Sequence, residues 1–152
     1  MNDIYAAPQA SLVTESQQQS VDYQLFKVSG VGVATFFGTM LAGGILLSIN
    51  FKRLGNQKAA KNALIYSAIA TVVVFAIAML IPEGVNIPNV VFTVPQILAM
   101  VQIAKQQQEL DIAYHIDNGG QMASNWKAFG LSLLVLIGFV VLVVPVVWLF
   151  LI

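Results

Sequence analysis

Cysteine is missing from this chain and charge is scarce. Among 152 residues there is no Cys, which removes disulfide exchange, thiolate metal sites and cysteine nucleophiles. Charged side chains make up 9% of the sequence, where soluble domains carry about 25%. With 58% hydrophobic residues, the chain has too little polar surface to cover itself in water. Seven basic residues balance seven acidic ones, and zero net charge gives no global attraction to nucleic acid. Neither Lys nor Arg precedes Lys27, so the basic opening of a cleavable signal peptide is also missing.

What fills the chain instead is long apolar runs. No Asp, Glu, Lys, Arg or His occurs from Val28 to Phe51, from Asn62 to Pro82, or from Ala128 to Ile152. Each run matches the ~20 residues needed to cross a ~30 Å hydrocarbon core. The expected fold is therefore all-α: a polytopic membrane protein with four transmembrane helices in two antiparallel hairpins, forming one compact unit. Residues 1–26 are expected to be a flexible polar tail, because Ser16-Gln17-Gln18-Gln19-Ser20 and three acids offer little apolar surface to bury. The membrane domain then occupies 27–152.

Punctuation along the chain divides that domain. Segment one covers about 28–50 and ends at Gly55, a residue suited to the left-handed helix terminus. Asn56 is placed to cap segment two, about 60–81, which stops at Pro82-Glu83-Gly84. Segment three, about 87–104, carries Pro88, Pro95 and Gln96. It continues as a polar helix to 116, where Asp117-Asn118-Gly119-Gly120 signals a turn. A re-entrant path is the alternative for segment three, since prolines and amides survive at depth only against protein or water. Segment four covers about 127–150, with Trp126 and Trp148 spaced to reach both interfaces.

Basic residues set the expected orientation. Lys52, Arg53, Lys58 and Lys61 put the 51–62 loop in the cytoplasm. With four crossings, Lys105 and Lys127 put the 105–127 loop there too, and both termini fall on the opposite, periplasmic side.

Small residues mark the expected helix-packing faces. Gly30, Ala34, Gly38 and Ala42 recur every four residues in segment one, as do Ala59, Ala63, Ser67 and Thr71 in segment two. Such spacing lets backbones approach closely within a membrane, either between these two helices or against a partner. Thr93, Gln96 and Gln102 are the candidate pore or ligand contacts. His115, with Asp111 and Asp117 nearby, is a weak metal set and reads better as a solvated helix-end histidine. No Asp, Glu, His, Lys or Arg falls well inside a span, whereas pumps, proton-coupled transporters and voltage sensors need one. Catalytic residues, metal ligands and cofactors are not indicated.

The leader Ile4-Tyr5-Ala6-Ala7-Pro8-Gln9-Ala10 resembles the start of small bacterial inner-membrane proteins that open with Tyr-x-x-Pro-x-Ala. The block from Phe36 to Gly44, the stretch from Asn50 to Gly55, and Asn118-Gly119-Gly120 are similar in such proteins. This resemblance implies a bacterial inner-membrane location and carries over no activity. The expected function is a non-enzymatic accessory or scaffold subunit that packs against other membrane proteins in the bilayer. The alternative is a small homo-oligomeric transporter or channel lined by the segment three polar residues.

Overall fold

The computed structural model describes residues 23–82 and 84–151, apart from the side chains of residues 146, 150 and 151. Most of the tail expected at 1–26, its Tyr-x-x-Pro-x-Ala leader and Glu83 lie outside the described residues. Among them the order is β1 (Gln24–Phe26), α1 (Val28–Arg53), α2 (Gln57–Met79), α3 (Val90–Asp117), β2 (Gln121–Ala123) and α4 (Asn125–Leu151). The protein is mostly helical. Three helices, α1, α2 and α4, are long and apolar enough to cross a membrane.

Yet α1 is not one straight rod. A 26-residue helix would be roughly 39 Å long, but the two ends of α1 meet. The Asn50 side chain bonds both backbone groups of Phe26, accepting from its N–H at 2.8 Å and donating to its C=O at 2.9 Å. Arg53 donates to the Gln24 carbonyl and lies over the Phe26 ring, 5.9 Å from its centroid. Further in, Thr35 packs against Gly43. These partners are placed about evenly on either side of Gly38 (φ −123°, ψ 19°) and Thr39 (φ 68°, ψ −178°), where the helical dihedrals break. Segment one is thus a helical hairpin with arms at 28–37 and 40–53. The reversal expected as an alternative for segment three belongs to segment one.

A two-stranded parallel sheet closes the base of that hairpin. Gln24, Leu25 and Phe26 pair with Gln121, Met122 and Ala123, so residues 24–26 are ordered strand and not tail. Because each strand feeds a helix, the first arm of α1 and the start of α4 leave side by side in the same direction. Gly30 meets Ala128, the Phe37 and Phe129 rings lie 4.9 Å apart, and Gly38 meets Ser132.

The other two helices pack on α1 as well. Gly44 of the second arm fits against Ser67 and the Ala63 carbonyl of α2. On α3, Val101 faces Gly32 and Met100 faces Gly43. Contacts of α2, α3 and α4 with α1 dominate the packing, and α3 and α4 form no comparable pair. Two antiparallel hairpins of through-going helices do not describe this arrangement: a doubled-back α1 forms the centre of three surrounding helices.

Helix ends follow their local chemistry. Gly55 takes φ 80° after α1, and Asn56 Oδ1 accepts from Ala59 N–H at 3.0 Å. The end of α3 lies at Asp117, with Gly119 at φ 77°.

Candidate functional site

Two features stand out where helices meet α1: a buried amide cluster at its base and an apolar cleft along its second arm. The cluster joins three elements. Asn50 is fully buried and Gln108 is 1% exposed. Besides its bonds to Phe26, Asn50 donates to Gln108 Oε1 at 3.0 Å, and Gln108 Nε2 donates to the Leu47 carbonyl at 3.0 Å. With β2 on one edge of β1, Asn50 serves the other edge as a third strand would. An amide suits this role because it offers donor and acceptor at one point without carrying charge into an apolar surrounding.

Neither residue was singled out in the sequence. A signal for Gln108 was present, since Ala104, Gln108 and Ile112 share one helical face at four-residue spacing and all three are buried. The adjacent Gln106, Gln107 and Glu109 concealed it by making the stretch read as uniformly polar.

His115 sits on the same face and departs from its expected solvated state. Its side chain is 3% exposed, stacked on Tyr23 with centroids 5.0 Å apart, and its Nε2 lies 3.1 Å from the Gln121 carbonyl. Gly120 makes room, because a Cβ there would collide with the imidazole. Asp111 and Asp117 remain exposed, and no three His, Cys, Asp or Glu gather into a metal-holding group among the described residues.

The small-residue positions divide between neighbours. Gly30 and Gly38 face α4: a Cβ at Gly38 would lie 2.8 Å from the Ser132 carbonyl oxygen and 2.6 Å from the Ala42 Cβ. Ala34 and Ala42 are fully buried. On α2, Ala63 and Ser67 meet Gly44, while the Ser67 and Thr71 hydroxyls donate to the carbonyls of Leu64 and Ser67. Ala59 is half-buried at the edge of this face. The α2 stripe therefore meets Gly44 and not the Gly30–Gly38 row.

The candidate pore residues stay within their own helix. Thr93 Oγ1 donates to the Asn89 carbonyl and Gln96 Nε2 to the Phe92 carbonyl, each at 3.0 Å. Gln102 is exposed. None of the three lines the cleft, whose cavity of about 330 Å³ is walled by Met40 and Leu47 of α1, Ala63 and Ala70 of α2, and Met100 and Ile103 of α3. Asn62, Tyr66 and Gln107 supply polar groups along its rim.

No family model matches the chain, and neither a curated protein nor a solved structure does.

Proposed function

We propose that the chain is a non-enzymatic accessory or scaffold subunit of a bacterial inner membrane, packing against other membrane proteins. One observation carries this reading: the polar side chains of the interior are spent on the fold. Asn50, Gln108, Ser67, Thr71 and Ser132 bond backbone or one another, and no buried side-chain nitrogen or oxygen among the described residues lacks a partner. What remains for interaction is an apolar exterior, with Val72, Leu134, Val141 and Trp148 among the exposed side chains of α2 and α4. The transporter reading loses support, because Thr93 and Gln96 are already engaged with their own helix.

The orientation belongs to the same proposal. α2 leaves the base of α1 and α3 returns to it, since Gln108 meets Asn50 there. Lys27, Lys52 and Arg53 lie at that base, and Lys127 donates to Gln24 at 2.7 Å. With Lys58, Lys61 and Lys105, all seven basic residues then gather at one end, which the positive-inside rule assigns to the cytoplasm. On this proposal α2 and α4 cross, α3 crosses because it must return from the far end of α2 to the base, and α1 enters and returns. Residues 24–27, expected on the periplasmic side, then lie at the cytoplasmic end. The arms of α1, about 15 and 21 Å by rise per residue, reach to about the midplane of a ~30 Å core.

Gentle extraction followed by identification of copurifying proteins tests the functional reading. A stoichiometric foreign membrane protein is expected. A lone symmetric oligomer would contradict it and favour a transporter.

A further inference from the structure

In the orientation given above, α3 leaves the bilayer near Lys105 and continues as a helix with two unlike faces. Gln108, Ile112 and His115 turn inward and are buried, whereas Leu110, Ala113 and Tyr114 turn outward. Leu110 is 86% exposed and Tyr114 72%, and no large hydrophobic side chain among the described residues is more exposed than Leu110. The exposed apolar side chains of α2 and α4 face lipid tails, where they need no cover. Leu110 and Tyr114 lie roughly 8 and 14 Å past Lys105 along the helix, at the edge of and beyond a headgroup layer of ~5–8 Å. They form an apolar ridge on the water side, where such a surface marks an interaction site.

Charge around the ridge selects the partner. Glu109 and Asp111 lie about 100° to either side of Leu110, and Asp117 lies two turns further along the same line of the helix. All three are exposed. Lys105 is turned about 140° away from Leu110, while Lys58 and Lys61 begin α2 at the level of Gln107, which lines the cleft with Ala59 and Asn62. The ridge thus has acids on both flanks and at its far end. An anionic bilayer surface repels such a face. The same sign excludes the chain's own first 22 residues, which carry Asp3, Glu15 and Asp22 and no Lys or Arg. Two copies meeting ridge to ridge about an axis along the membrane normal would set their own acids against each other.

We propose that this ridge docks a basic amphipathic helix, the cytoplasmic juxtamembrane segment of a partner membrane protein. Its apolar face covers Leu110 and Tyr114, and its Lys or Arg side chains meet Glu109, Asp111 and Asp117. Membrane proteins carry an excess of such bases beside their spans on the cytoplasmic side, and apolar anchors at helical spacing are how amphipathic helices are received. The proposal rests on the accessory reading for its partner and for the side on which the base lies.

Fluorescence anisotropy on the purified chain in phosphatidylcholine nanodiscs tests this. The probes are labelled amphipathic helical peptides of about five turns, one of Leu and Lys and one of Leu and Glu, with empty nanodiscs as the blank. The Leu/Lys peptide is expected to bind at least about tenfold tighter than the Leu/Glu peptide, a difference that empty discs do not show. Leu110→Ser should weaken that binding about tenfold. Glu109→Gln combined with Asp111→Asn and Asp117→Asn should abolish the preference and its salt dependence, and Val85→Ser at the opposite end should leave both unchanged. Each change is at an exposed position, and circular dichroism checks that helix content is retained. Equal binding of the two peptides, or unchanged binding by Leu110→Ser, would overturn the proposal. So would a wild-type dimer that Leu110→Ser converts to monomer, because a second copy would then cover the ridge. Peptide selectivity in a chain that copurifies with nothing supports the ridge and contradicts the accessory reading, whereas a copurifying membrane protein without peptide selectivity does the reverse.

Discussion

Two regions of this protein share the same outward description and end up with opposite roles. Residues 28–51 and 128–152 are both free of ionisable side chains. In α1, 61% of the most apolar 18-residue stretch is buried, against 6% in α4. Absence of charge permits a helix to enter the bilayer but does not decide what it touches there. That decision rests with side-chain size. Gly32, Gly38, Gly43 and Gly44 each bring another element within contact of the α1 backbone, while Gly130 and Gly138 of α4 have nothing within 4 Å. In lipid, where apolar surface gains little from leaving the tails, close packing against small residues is what draws helices inward.

The largest way to break this contrast is through Asn50. Asn50→Leu leaves the Phe26 N–H, the Phe26 carbonyl and Gln108 Oε1 without their partner, at ~1–3 kcal/mol for each buried group. Melting in detergent should show a loss of at least about 3 kcal/mol, and Gln108→Leu in the same background should add less than it costs alone, because its bond to Asn50 is already gone and only that to the Leu47 carbonyl remains. Full additivity of the two changes would show that the cluster is not a unit.

Glycine comparisons come next in size. Gly38→Leu drives a side chain into Ser132 and Ala42 and should cost roughly 1–3 kcal/mol, the usual scale of overpacking. Val73→Leu, on the exposed face of α2, should leave melting unchanged. The same substitution at Gly138 meets open space and should stay within about 0.5 kcal/mol of wild type. Equal losses at Gly38 and Gly138 would remove the distinction between the two regions.

A third change should stabilise. Thr39 occupies a backbone region open almost only to glycine, at a cost of ~1–3 kcal/mol. Thr39→Gly is expected to raise stability by about 1 kcal/mol after the added chain entropy of glycine is offset, and a fall in melting temperature would show that the Thr39 side chain holds the reversal.

These positions also show how far the sequence could be read. The charge-free runs, the Gly55–Asn56 junction and the 117–120 turn are local features, and local chemistry announces them. Gly38 stood out as a small residue, but its stripe reads equally well as packing between two straight helices. The reversal needs a threonine in a conformation that threonine avoids, so no propensity argument would place it there. Strands of three residues are too short for period-two patterning, and the partners Gln24 and Gln121 lie 97 positions apart. Asn50 was invisible for a related reason: its partners are set by the fold-back itself.

The fold-back of α1 is the central claim, and accessibility tests it most directly. Because the chain has no cysteine, single cysteines at Lys27, Asn56 and Val85 each report one place. Lys27→Cys and Asn56→Cys should react with an impermeant thiol reagent from the same face of an intact membrane, and Val85→Cys from the other. Labelling of Lys27→Cys and Asn56→Cys from opposite faces would mean that segment one crosses as a single helix, and would contradict the account.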